Sequence, residues 1–258
     1  MPRLKSMPST PARPRALRVA VTAIAAAVFL ILAGLTTPAT GATTLPVYSG
    51  KGWKASTHRN IYSINPDPYT VVFATSTART KLTPYFKAAA AQITTITGVR
   101  VTVTTTLDTT PVEKCPPRHR IVAHYKHRPT GAAGVSVALP CHQPSDQSAW
   151  GGHVLMDSEY WTVANWFSTN ATVNDTYRKD GVVHEFTHIF GLDHPNTDLD
   201  KDGVVEPREC VKNSSGVKPV MCAPNRGYTT ASVGGRYTSQ FDAAGLRQMA
   251  FNWYLRQA

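Results

Sequence analysis

Three histidines and a glutamate are the residues best spaced to do chemistry, in the stretch Val182-Val-His184-Glu185-Phe-Thr-His188-Ile-Phe-Gly191-Leu-Asp-His194-Pro195. On a helix, His184 and His188 lie one turn apart and present their imidazoles to the same side. Two neutral nitrogens so placed can reach one zinc ion at about 2.0–2.1 Å each. Glu185 adjoins the first ligand, where its carboxylate can take a proton from a water on the metal. Gly191 falls where the helix must stop, and glycine turns the chain back at little cost. His194 can then approach the same ion as a third ligand. Three protein ligands leave a fourth position open, the arrangement of a catalytic rather than a structural zinc.

The pattern H-E-x-x-H-x-x-G-x-x-H resembles that of the metzincin zinc peptidases, whose other mark is a methionine turn downstream. Pro219-Val220-Met221-Cys222-Ala223-Pro224 is the matching stretch, and the resemblance implies that Met221 forms an apolar floor beneath the metal. It also implies an α/β, zincin-like fold: a twisted mixed sheet, a backing helix, the zinc helix beneath the sheet, and a smaller C-terminal subdomain ending in a helix. In that family an antiparallel edge strand borders the cleft and pairs with the substrate backbone; Val135 to Leu139 is the stretch assigned to it. The implied activity is that of a secreted zinc endopeptidase acting on a protein or peptide substrate, with Glu185 as general base. The chain departs from the family in two places. Ala223 stands where some members place a tyrosine, a role that Tyr228 matches by no motif. Pro195 resembles serralysin-like members, whose glycine-rich calcium repeats are absent here.

A second constellation runs from Asp198 to Glu209. Counted from Asp198, acids stand at positions 1, 3, 5, 9 and 12 (Asp198, Asp200, Asp202, Glu206, Glu209), with Gly203 at 6. This is the spacing of an EF-hand calcium loop, in which Val204 gives its carbonyl, Glu206 acts through water and Glu209 binds with both oxygens. The flanks differ from a paired EF-hand, because the zinc helix ends at Gly191 and Pro207 disfavours a helix starting inside the loop. A lone calcium loop is therefore expected.

The remaining chemistry is compositional. Of 258 residues, 42% are hydrophobic and 17% charged, as a packed domain requires. Arg3, Lys5, Arg13, Arg15 and Arg18, an apolar run over 19–35 and small residues to Ala42 read as a secretory signal peptide over 1–42. Removing it takes away five of the positive charges behind the net +11, leaving a moderate basic excess with no nucleic-acid module. The mature chain is expected to be extracellular, off the membrane and monomeric. Cys115, Cys141, Cys210 and Cys222 all lie in the exported part, so two disulfides are expected in one of three connectivities; pairing of sequence neighbours is preferred.

Residues 43–66 lack periodicity and read as an N-terminal extension of a catalytic domain over 67–258. Strands are expected at Tyr69–Ala74, Val99–Thr106, Ile121–Tyr125, Val135–Leu139 and His153–Asp157, with helices over Thr77–Thr97 and Thr238–Ala258, the last capped by Thr238 or Ser239. Trp150, Trp161, Trp166 and Phe167 read as core, with the lining of a ligand groove as their second reading, and His153 as a hydrogen-bonded core or edge residue. No role is assigned to His58, His119, His124, His127 or His142. The rival reading is a non-catalytic, calcium-stabilised surface adhesion module on the same scaffold; an intact Glu185 argues against it.

Overall fold

Parallel strands need a crossover that returns the chain to its starting end, and a 22-residue helix provides the first one. In the computed structural model, which describes residues 45–224 and 234–257, β4 (Tyr69–Phe73) leads through α1 (Ser76–Thr97) into β5 (Val101–Leu107). The expected signal peptide and Tyr228 lie outside the described residues. Thr75 opens α1 by accepting the Ala78 N–H at 3.1 Å, and its apolar face of Leu82, Phe86, Ala89, Ala90 and Ile93 is buried. β6 (Arg120–Lys126) pairs parallel with β4, and β8 (Ser148–Asp157) parallel with β6. β3 (Ser63–Ile64) joins the start of β8. Every residue of β8 is buried, as befits a central strand covered on both faces.

β7 (Val137–His142) is the antiparallel member. It pairs with β8 and, among the described residues, with nothing else, so it is an edge. It begins two residues later than expected and runs on through Pro140. That proline is tolerated because an edge strand has one side without ladder bonds. Ala138, on the same side as Pro140, turns its carbonyl outward to Arg59.

The described residues thus form a mixed α/β unit with a six-stranded sheet and four α-helices. α1 packs on β5 and β6 and touches both α3 (Ala171–Ile189) and α4 (Asp242–Leu255), while α3 packs against β7 and β8. One aromatic row fixes how α3 sits. Phe73, Phe86, Phe186 and Phe190 meet in sequence at ring separations of 6.3, 5.3 and 5.1 Å, and Tyr69 closes on Phe190 at 5.2 Å. Each such ring contributes about 1.5–3 kcal/mol by burial. With about 100° per helical residue, burying Phe186 and Phe190 sends His184 and His188, two positions out of step, to roughly the opposite side.

The segment read as an N-terminal extension is woven into the same unit. β1 (Ser49–Gly50), β2 (Trp53–Ala55) and β9 (Leu192–Asp193) make a small antiparallel sheet, and Trp53, Ile61 and Ile64 are buried in the main core. Asn252 of α4 ties the segment down, donating to the carbonyls of Val47 and Tyr62 at 2.7 and 3.1 Å. Short α2 (Glu159–Thr162) follows β8. Neither Thr238 nor Ser239 caps α4; the N-cap position is Phe241, and the acid that follows it is engaged elsewhere. The disulfides pair sequence neighbours, Cys115–Cys141 and Cys210–Cys222. No helix among the described residues is long and apolar enough to cross a membrane.

Gly152 lies tight against β7: its φ is +138°, and a Cβ would stand 2.2 Å from the Leu139 carbonyl oxygen. Gly152→Ala should push the edge strand away and cost about 3 kcal/mol. Calorimetry should read this as a Tm lowered by roughly 6–12 °C; an unchanged Tm would count against this register.

Candidate metal centre

α3 opens at Asn170, whose side chain accepts the Val173 N–H at 3.1 Å, and carries His184, Glu185 and His188 near its end. Gly191 then reverses the chain at φ +83°, where a Cβ would stand 2.5 Å from Ile61 Cγ2. Glycine is needed both for that angle and for that contact. β9 follows at once, and its pairing with β2 delivers His194 back over α3. The three imidazoles converge: His194 Nε2 lies 3.1 Å from His184 Nε2 and 3.1 Å from His188 Nε2.

The protons on these rings are dictated by their other nitrogens. His184 Nδ1 stands 2.8 Å from the Val220 carbonyl and His188 Nδ1 2.7 Å from the Leu192 carbonyl. A carbonyl only accepts, so both Nδ1 atoms carry protons and both Nε2 atoms offer lone pairs to the point of convergence. Burial, reinforced by the neighbouring imidazoles, lowers His184 to about 4 and His188 well below the usual histidine range; burial lowers His194 as well. Three neutral nitrogens whose lone pairs face one another at this range repel unless a cation lies between them. Tetrahedral ligands at zinc-like distances stand about 3.3 Å apart, close to what is seen. The donor set therefore fits a divalent transition metal with an open position.

Glu185 is half-buried beside His184 and lines the same cleft. Burial pushes its carboxyl up to about 8, with the Ala138 N–H and the Arg59 charge pulling the other way. The cleft holds about 1000 Å³ and is bounded by Val135 to Ala138, which lead into and begin β7, by Tyr160, Trp166 and Phe167, and by Ala223 and Pro224. Trp150, by contrast, is core, and Trp161 packs against the core. Asp157 and Ser136 hold the entry to β7: Gly134 N–H donates to Asp157 Oδ2 at 2.7 Å, and Asp157 N–H to Ser136 Oγ at 2.9 Å.

Met221 is fully buried and follows Val220, whose carbonyl orients His184. What holds this turn is a residue that sequence reasoning missed. Asp242, at the start of α4 and fully buried, accepts the N–H groups of Val220, Met221 and Thr238 at 2.9, 3.2 and 3.2 Å. Burial raises its pKa to about 6 against the pull of those N–H groups. Nothing local marks it, because an Asp in the first turn of a helix is ordinarily a dipole partner.

The acidic loop folds on itself. Asp198 accepts from Lys201 N–H at 2.6 Å and Gly203 N–H at 2.9 Å, and Glu209 accepts from Glu206 N–H at 3.0 Å and from Leu199 N–H. Carboxylate oxygens of Asp198, Asp200 and Glu209, and of Asp200, Asp202 and Glu206, approach within 4.8 Å. Val204 is exposed. Five other histidines have partners elsewhere: His153 and His124 hydrogen-bond each other at 2.9 Å, with the second nitrogen of His153 2.8 Å from the Lys114 carbonyl. His119 faces Asp67, and His127 faces Glu159. His58 faces Asp193 and, unlike the other four, lines the cleft.

Zinc titration of the apo protein should show one equivalent bound at the triad, lost in His194→Ala. Asp242→Ala should weaken that binding by about 10–100-fold, the usual effect of losing an outer partner, because the Val220 carbonyl is no longer fixed. Chelator competition reads the affinity, and an unaltered value in Asp242→Ala would mean that the turn holds without it.

No protein-family model and no curated protein matches this chain, so its chemistry is read from these residues.

Proposed function

We propose that the chain is a secreted, zinc-dependent endopeptidase of the metzincin kind, with His184, His188 and His194 holding the metal and Glu185 as general base. The observation that carries this reading is the meeting of three histidine lone pairs, a carboxylate from the same helix and an open antiparallel edge strand in one cleft. Bound zinc supplies a Lewis acid for a peptide carbonyl and lowers the pKa of water toward neutrality. Glu185 takes the proton of the attacking water and returns it to the leaving amine. The outward main chain of β7 offers an extended peptide the hydrogen bonds of an added strand. Tyr160, Trp166 and Phe167 give that peptide an apolar wall. Met221, buried behind the His184 anchor, fits the methionine turn of this family, and the mixed sheet with α1 and α3 fits its zincin-like architecture. The two disulfides support an oxidising, extracellular setting.

Glu185→Gln should keep the zinc stoichiometry and lose peptide hydrolysis, since the ligands survive and the base does not. General acid–base catalysis contributes about 10²–10⁴-fold, so casein or a quenched peptide should be cleaved at least a hundredfold more slowly. Wild-type turnover in that variant would sink the mechanism. A zinc-loaded wild type that cleaves no protein would favour the adhesion-module reading instead.

Calcium in the 198–209 loop completes the proposal, held by Asp198, Asp200, Asp202, the Val204 carbonyl, Glu206 and Glu209. Its role is structural. Without a cation, five carboxylates crowd one turn next to the segment that carries His194. Extracellular loops of this kind bind at roughly 10⁻⁴–10⁻³ M, and a hundredfold excess over the dissociation constant adds about 2.7 kcal/mol. Thermal melts of zinc-loaded protein should rise with calcium, and Asp200→Ala should remove that dependence. A wild-type Tm indifferent to calcium would return the loop to a solvated acidic turn.

A further inference from the structure

The cleft carries more positive charge than its own carboxylates offset. Lys54, His58 and Arg59 enter it from the segment that runs from β2 towards β3. Lys54 and His58 share a single acid, Asp193, at 3.6 and 3.4 Å. Arg59 has no carboxylate within ion-pair distance among the described residues. Its guanidinium rests on two acceptors that carry no negative charge: Nε donates to His58 Nε2 at 3.3 Å, and Nη1 to the outward carbonyl of Ala138 at 3.4 Å. Both are long bonds that leave further N–H groups for solvent, and the residue is exposed.

The two ends of the cleft-lining stretch 134–138, which leads into the edge strand, therefore differ. At the Gly134 end stand aromatic rings: Tyr160 donates its hydroxyl to the Gly134 carbonyl at 2.9 Å, and Trp166 lies where a Gly134 Cβ would be. At the Ala138 end stands a guanidinium, adjacent to the metal ligands. A planar fork of donors on the wall of an open cleft matches a carboxylate, which can take two parallel N–H···O bonds. Asp193 is already committed to Lys54 and His58, so that carboxylate has to come from outside.

We infer that Arg59 is a specificity-determining residue that binds a carboxylate of the substrate, which makes acidic peptides the preferred class. The inference rests on the peptidase reading above. The carboxylate can come from an internal Asp or Glu side chain or from the end of a peptide, and these sources are separable by experiment.

The test uses the zinc-loaded mature chain and quenched peptides blocked at both ends, with Glu or Gln at successive positions around the cleaved bond. A second set lacks acids and ends in either a free carboxylate or an amide. At one position, or for the free terminus, kcat/KM should favour the acid at least tenfold. Arg59→Gln should remove that ratio, and Arg59→Glu should reverse it in favour of Lys at the same position. Recovered cleavage of the Lys peptide cannot come from misfolding. A preference confined to the free terminus assigns the carboxylate to the chain end and keeps the inference. Cleavage with no acid preference, or with a preference that Arg59→Glu leaves unchanged, overturns it while the peptidase reading stands. No cleavage of any peptide removes both.

Discussion

Two hydrogen bonds from ring nitrogens to main-chain carbonyls govern the site. The Leu192 and Val220 carbonyls fix the protons of His188 and His184 on Nδ1 and so aim the lone pairs of both Nε2 atoms at one point. Without them, each imidazole could present an N–H to that point instead. The two carbonyls arrive by separate routes. Leu192 lies one residue past the Gly191 reversal. Val220 comes from a turn far along the chain, so the geometry of the histidines depends on long-range packing as much as on helix spacing.

That packing is visible in how the turn is held. Asp242 grips it from α4 through two consecutive N–H groups. From the other side, Asn196 makes a two-way bridge to Ala223, donating to its carbonyl at 2.6 Å and accepting its N–H at 2.9 Å. Arg208 N–H reaches the same carbonyl at 2.6 Å, and Thr197 N–H meets the Glu209 carbonyl at 2.9 Å, which closes the base of the acidic loop. With Cys210 bonded to Cys222, the acidic loop, the segment carrying His194 and the turn at 219–224 form one connected body.

The parts legible in the sequence were those whose physics is local. His184, Glu185, His188 and Gly191 lie on one helix and its stop, so spacing alone placed them together. The acids from Asp198 to Glu209 repeat within a single turn, and α1 announces itself by Leu82, Phe86 and Ile93. What could not be read was set by partners distant in sequence. β1, β2 and β9 span two or three residues each, too few for any periodicity, and they exist because they pair. Asp242 looks like an ordinary helix-start acid until the chain places Val220 and Met221 against it. Arg59 acquires meaning only from Ala138, 79 residues on, and Pro140 hid the true length of β7 by resembling a strand end.

The edge strand shows how one element can be both open and safe. An unpaired edge invites association with any passing strand, yet β7 is an edge whose start lines the histidine cleft. Here β7 is short and interrupted by Pro140, which offers no donor. Its far end is pinned by Cys141 to Cys115, and Arg59 occupies the Ala138 carbonyl. The outward main chain left open to a further strand is thus short. A strand that docks there has to share the cleft with Arg59 on one side and the aromatic wall on the other. Restricting the edge in this way leaves little open main chain for unwanted strand association.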